Sequence, residues 1–153
     1  TTEIYTLSLH DALPIYGDTF YVTNTSAVIT LEDNIFKNND TNGNFLRVQK
    51  DSWGNSGANG GDVTLTLTNQ KVDGNIIVDS ISTLDMTLKT NSIYEGTING
   101  DDIAKSVTLT LDTSSKIKLT GDSYVTSLID DVSDYSNIDF NSYKLYVNGV
   151  AIN

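Results

Sequence analysis

The chain has 153 residues, enough for one domain of ordinary size, and a net charge of −11 from nine basic and twenty acidic side chains. That balance disfavours nucleic acid and anionic membrane surfaces, no apolar run is long enough to span a bilayer, and the lack of Cys removes disulfides, thiolate metal sites and thiol nucleophiles. Thr, Asp, Asn and Ser are the commonest residues, Glu occurs only three times, and the hydrophobic 38% alternates rather than scatters, so strands around a thin core are expected in place of helices or disorder.

The first fifteen residues, TTEIYTLSLHDALPI, resemble translated sequencing adapter: they back-translate in frame, codon for codon, to a common short-read adapter. Thr1–Ile15 is therefore expected to be adapter-derived and is set aside from fold reasoning. That leaves residues 16–153 as a single domain, expected to be the C-terminal fragment of a longer protein. His10 and Pro14 fall in the excluded segment, so the remaining chain has neither His nor Pro. Ser–His and Cys–His catalysis are thereby excluded for it.

The next apolar stretches, Phe20–Val22, Val28–Leu31, Ile35–Phe36 and Phe45–Val48, are short and predict strands. In NFLRVQK, alternation predicts Leu46 and Val48 facing in, with Phe45, Arg47 and Gln49 facing out. A Gly/Asn-rich insertion, DSWGNSGANGGD from Asp51 to Asp62, then precedes a repeat. VTLTLT from Val63, LDMTLK from Leu84 and VTLTLD from Val107 superimpose at spacings of 21 and 23 residues. Each has apolar residues at odd positions only, the period of a strand with one buried face. A polar turn and a Gly-containing strand follow each time: Val72–Gly74, Tyr94–Gly96 and Leu119–Gly121. A third apolar stretch closes each repeat: Ile76–Ile81, Ile98–Ile103 and Val125–Leu128. Three short strands in 20–25 residues predict a β-solenoid of four to five coils. At the end, Tyr143–Val147, the turn pair Asn148-Gly149 and Val150–Ile152 predict a hairpin-like cap.

The segments AVITLEDNIFKNN, WGNSGANGG, VDSISTLDMTL, YEGTING and KSVTLTLDTSSKIKLTGDSYVTSL resemble the C-terminal part of a right-handed parallel β-helix. The family they look like is that of secreted, clostridial-type carbohydrate-binding β-helix proteins, pectate-lyase-like in fold. The resemblance covers roughly residues 20–153 and rests on diffuse repeats rather than one motif. It implies an all-β, right-handed parallel β-helix, an extracellular or cell-surface location, pectin or cellulose-like cell-wall polysaccharide as partner, and bound calcium.

Several residues carry chemistry suited to that expectation. Arg47 is the only Arg, and its planar fork matches the carboxylate of a uronate; the alternative is an ordinary solvated Arg. Trp53 is the only Trp and can stack on a sugar face, with Asp51, Asn55 and Asn59 beside it to hydrogen-bond hydroxyls; the alternative is a hydrophobic lid. For calcium, which favours clustered carboxylate and carbonyl oxygens, the best clusters are NGDD with Asp101 and Asp102, and DDVSD with Asp130, Asp131 and Asp134; the alternative is a solvated acidic turn. Neighbouring carboxylates on a strand point to opposite faces, so neither Asp pair forms a glycosidase dyad there. A non-catalytic polysaccharide-binding module is therefore expected, against two alternatives: a structural adhesin-like stalk, and a fragment of a pectate-lyase-like enzyme.

Overall fold

The computed structural model describes residues 2–7, 14–15 and 17–153. Of the segment set aside as adapter-derived, Thr1 and residues 8–13, His10 among them, lie outside the described residues. The strands follow one another around a coil. The first turn holds β1 (Thr2–Leu7), β2 (Pro14–Ile15) and β3 (Phe20–Val22), and the second holds β4 (Thr25–Glu32), β5 (Lys37–Asn38) and β6 (Leu46–Val48). The third holds β7 (Gly61–Thr68), β8 (Lys71–Asp73) and β9 (Ile76–Val78). In the fourth, β10 (Thr83–Lys89) and β11 (Ile93–Gly96) are followed only by a single bridge between Ile98 and Ile76. The fifth holds β12 (Ser106–Leu111), β13 (Lys116–Leu119) and β14 (Ser123–Val125). The sixth holds β15 (Ser127–Asp130), β16 (Ile138–Asp139) and β17 (Leu145–Val147), and β18 (Val150–Ala151) folds back antiparallel on β17.

Each strand pairs in parallel with its counterpart one turn away. The first sheet runs β1-β4-β7-β10-β12-β15, and the second β8-β11-β13-β16, with β2-β5 as a separate pair. The third side is split into β3-β6-β9 and β14-β17-β18. The chain is thus an all-β parallel solenoid, as its repeats predict. It has about six turns rather than four to five. The first turn lies partly in the excluded segment, and the sixth has strands too short and too polar to read as a repeat.

The register of the first sheet sets the core. Ile29, Leu65, Met86 and Leu109 stack in one inward column and Leu31, Leu67, Leu88 and Leu111 in the next, each at most 1% exposed. Stacking identical positions every 4.8 Å or so buries apolar area continuously, which supplies the main favourable free energy of a fold this thin. Tyr94 is also fully buried. Its hydroxyl donates to the carbonyls of Gly74 (2.9 Å) and Thr97 (3.2 Å), and burial raises its phenol well above the ordinary tyrosine range. Gly96 makes room for this contact: a Cβ there would lie 2.3 Å from the Gly74 carbonyl oxygen and 2.4 Å from the Tyr94 hydroxyl.

The corners explain the polar composition. Backbone amides two residues on donate to the side chains of Asn38, Asp40, Asp79, Asp112, Asp130, Asp134 and Asp139. Only a short side chain reaches its own backbone in this way, hence the excess of Asp over Glu. Left-handed backbone at Asn24, Asn69, Asn91, Asn99, Asn141 and Asn148 serves the same turns, since Asn tolerates positive φ better than most residues.

Three expectations are corrected. Phe45 faces in, at 2% exposed, and packs edge-on against Phe20 and Phe36. Strand alternation does not apply to it, because β6 starts only at Leu46 and Phe45 belongs to the preceding corner. The expected strand Ile98–Ile103 shrinks to the bridge at Ile98, since Asn99 and Asp102 both adopt positive φ. The expected strand Val125–Leu128 is a corner between β14 and β15, where the Thr126 amide donates to the Val107 carbonyl and its hydroxyl accepts from the Val107 amide.

Candidate functional site: the third face

The pairing of β3, β6 and β9 places Tyr21, Arg47 and Ile77 in one column on the third side, and β14 with β17 places Tyr124 on Tyr146. Between these two groups the single bridge at Ile98 replaces a strand, and the gap opens a cleft of about 190 Å³. Its lining includes Asn44, Asn75, Ile77, Thr97, Asn99 and Asp101. Tyr21 and Tyr124 stand four rungs apart, about 19 Å at ~4.8 Å per rung.

At one end, Arg47 donates through Nε to Asp18 and through Nη2 to the same carboxylate at 3.4 Å, and its guanidinium lies 6.0 Å from the Tyr21 ring centroid. The Asp18 hydrogen bond raises the Arg47 pKa further. Burial pushes the Asp18 carboxyl up, but hydrogen bonds from Arg47 and from the backbone and side chain of Asn44 outweigh it and hold it below the ordinary carboxylate range. Tyr21, 44% exposed, donates to Asp51 at 3.1 Å. Burial and that hydrogen bond raise its phenol, while the Ser52 amide and the Tyr21 hydroxyl lower the Asp51 carboxyl.

Trp53 follows two residues on and is 53% exposed. Its loop is braced from inside: buried Asn59 donates from Nδ2 to the carbonyls of Asp51 and Trp53, both at 2.8 Å. The exposed Asn55 holds the loop through its carbonyl, which accepts from the Ala58 amide at 2.9 Å. The structure thus brings Arg47 and Asp51 together through Tyr21 and holds Trp53 out beside them. Asn59 shapes the loop from beneath.

At the other end, Tyr124 and Tyr146 stack with centroids 4.6 Å apart and planes 6° from parallel. Burial and then the neighbouring Tyr146, Asp122 and Asp102 raise the Tyr124 phenol. Sequence pattern did not single out Tyr21, Tyr124 or Tyr146. The signal was available in part, since Tyr124 and Tyr146 both sit between inward residues of short strands, but only the register places one over the other.

The acidic clusters lie apart from one another. Asp101 and Asp102 are exposed in the turn after Asn99, with Asp101 at the cleft. Asp130 ends β15, exposed Asp131 follows it, and exposed Asp134 has its carboxyl lowered by hydrogen bonds from the Ser136 hydroxyl and then the Ser136 amide. Among the described residues no three acidic or His side chains converge in a group that could hold a metal.

The fold defines the class as a parallel β-solenoid with a cleft at a broken rung of one face. Comparison with protein-family models, curated proteins and solved structures finds no match to any of them.

Proposed function

We propose that this chain is a non-catalytic polysaccharide-binding module of a secreted or cell-surface protein, of the right-handed, pectate-lyase-like β-helix kind, holding a cell-wall glycan along its third face. The observation that carries the reading is a set of aromatic residues on one face: Tyr21, hydrogen-bonded to Asp51 two residues before the exposed Trp53, and the stacked Tyr124 and Tyr146, with a cleft at the broken rung between the two strand groups. A sugar presents an apolar face to an aromatic ring and hydroxyls to amides and carboxylates, and ~19 Å is the span of a few pyranose units along an extended chain. Arg47 is engaged by Asp18, which suits orientation of the Tyr21 ring better than service as a free base. A polyuronate would need calcium to bridge its carboxylates to a −11 protein; a neutral glucan would not.

Isothermal titration against oligogalacturonate and against cello-oligosaccharides, each with calcium and with chelator, tests the reading. Heat with either glycan supports it, and chelator sensitivity confined to the galacturonate identifies the metal bridge. No heat from any pair, on a folded sample, leaves the structural stalk. Unsaturated product would instead identify a lyase fragment and direct attention to Arg47.

A further inference from the structure

Four Asn-Gly pairs occur in the sequence: Asn42-Gly43, Asn59-Gly60, Asn99-Gly100 and Asn148-Gly149. Such a pair is chemically labile, because a glycine without a Cβ lets its amide nitrogen reach the side-chain carbonyl carbon of the preceding Asn. The attack requires an Asn side chain that is free to rotate and a glycine amide that is not committed as a hydrogen-bond donor. It also requires a backbone that can leave its resting conformation.

The fold withholds at least one of these from three of the pairs. Asn59 is 5% exposed, and its Nδ2 donates to the carbonyls of Asp51 and Trp53. Asn99 is also buried; its Nδ2 donates to the Tyr124 carbonyl at 3.2 Å and its Oδ1 accepts from the amides of Ile103 and Ala104. Asn42 is exposed, but the Gly43 amide donates to the Asp40 carbonyl at 3.1 Å, and a Cβ on Gly43 would lie 2.0 Å from the Gly17 carbonyl oxygen. Asn148-Gly149 differs on every count. Both residues are exposed, with φ of +49° and +79°, and nothing lies within 4 Å of where a Gly149 Cβ would sit. Among the described residues no hydrogen bond uses the Asn148 side chain or the Gly149 amide. The hairpin around the pair is small, since β18 pairs with β17 alone. Beyond that pairing it is held by the Ile152 amide on the Leu145 carbonyl and by the Asn153 side chain, which accepts from the Leu145 amide and donates to the Tyr143 carbonyl. A unit with so few contacts opens locally at low free-energy cost.

We propose that Asn148 is a self-modification site, at which the terminal hairpin converts itself without an enzyme. The Gly149 nitrogen attacks Cγ of Asn148; a C–N bond forms, the Cγ–Nδ2 bond breaks, and Nδ2 leaves as ammonia with the proton given up by the Gly149 amide. One water then opens the resulting succinimide at either carbonyl, leaving Asp or isoaspartate, and each event adds one negative charge. The two products differ in consequence. Asp preserves the turn, because Asp-Gly suits the same two-residue hairpin as Asn-Gly. Isoaspartate routes the backbone through Cβ and Cγ, which lengthens the turn by one atom, breaks the Val147–Val150 register and frees β18 from β17. The inference is independent of glycan binding.

Incubation of the whole chain at mildly alkaline pH, folded and in denaturant, followed by digestion and mass spectrometry, tests it. In the folded chain the peptide holding Asn148 should convert at least about tenfold faster than those holding Asn42, Asn59 and Asn99, and in denaturant the four rates should converge. A folded-state rate at Asn148 no faster than at any of the other three overturns the proposal. A preference for Asn148 that is undiminished in denaturant also overturns it, since local sequence and not the fold would then set the rate. The isoaspartate form, separated from the Asp form, should melt at a lower Tm, whereas Asn148→Asp should melt with the unmodified chain. Equal melting of the isoaspartate form and Asn148→Asp overturns the loss of the hairpin.

Discussion

Along the first sheet one inward column reads Leu31, Leu67, Leu88, Leu111 and the adjacent outward column Thr30, Thr66, Thr87, Thr110. Along the third face the outward column reads Tyr21, Arg47, Ile77, then a broken rung, then Tyr124 and Tyr146. Both sides are parallel ladders on the same core, so backbone geometry does not account for the contrast. Uniform columns maximise packing from one turn to the next, and the first sheet has little else to satisfy. On the third face the outward residues change at every rung and one strand is reduced to the bridge at Ile98, where the cleft opens. A solenoid shows where it is scaffold by repeating itself, and where it is specialised by ceasing to.

The largest expected effect lies in the repeating region. Leu88→Ala should cost about 2–5 kcal/mol in chemical denaturation, the range for a buried large-to-small change in a core that cannot collapse around the gap. Tyr94→Phe removes the donor to the Gly74 and Thr97 carbonyls in a fully buried site and should cost about 1–3 kcal/mol. On the third face, Trp53→Ala should leave Tm unchanged, as its ring is half-exposed, yet weaken glycan binding by about 1–3 kcal/mol in titration. If it lowered Tm instead, Trp53 would belong to the scaffold.

Smaller still is an acid effect at Asp112. Burial raises its pKa, but the Thr90, Ser115 and Ser114 hydrogen bonds dominate and bring it from 3.8 to about 2. A depressed folded-state pKa contributes stability above the unfolded value of 3.8, lost as pH falls through about 2. Asp112→Asn should therefore flatten the decline in Tm between pH 4 and pH 2 relative to the unmodified chain. The smallest effect belongs to Thr87→Ala, beside Leu88 but outward, at under about 0.5 kcal/mol. Costs for Leu88 and Thr87 that came out equal would contradict the register and with it the contrast between the two sides.

The repeats made the solenoid legible because Val63–Leu67, Leu84–Leu88 and Val107–Leu111 have both alternation and a fixed spacing. The terminal hairpin was legible from Tyr143–Val147 and Val150–Ile152 on either side of the turn pair Asn148-Gly149. Alternation failed at corners, where Phe45 turns inward and Thr126 separates the end of β14 at Val125 from the start of β15 at Ser127. No local pattern marks a corner within an apolar run, since the bend is set by hydrogen bonds to residues one turn away. Of the third face, Arg47, Asp51, Trp53 and Asp101 were legible by rarity or clustering. The tyrosines were not, because their grouping depends on register between segments more than twenty residues apart.

The Asx corners have a consequence for how the molecule behaves in a crowd. Every added turn brings its own short acids, so charge grows with length and the solenoid becomes a polyelectrolyte rod rather than a neutral one. β15 and β16 are the terminal strands of the first and second sheets, and an uncovered edge of that kind is the geometry that templates stacking between molecules. Exposed Asp131, Asp134 and Asp139 ring that end, so two rods meeting there bring like charges together across a low-dielectric gap. Colloidal dispersion is then a by-product of turn chemistry, strongest in dilute buffer and fading as salt shortens the Debye length to a few ångströms.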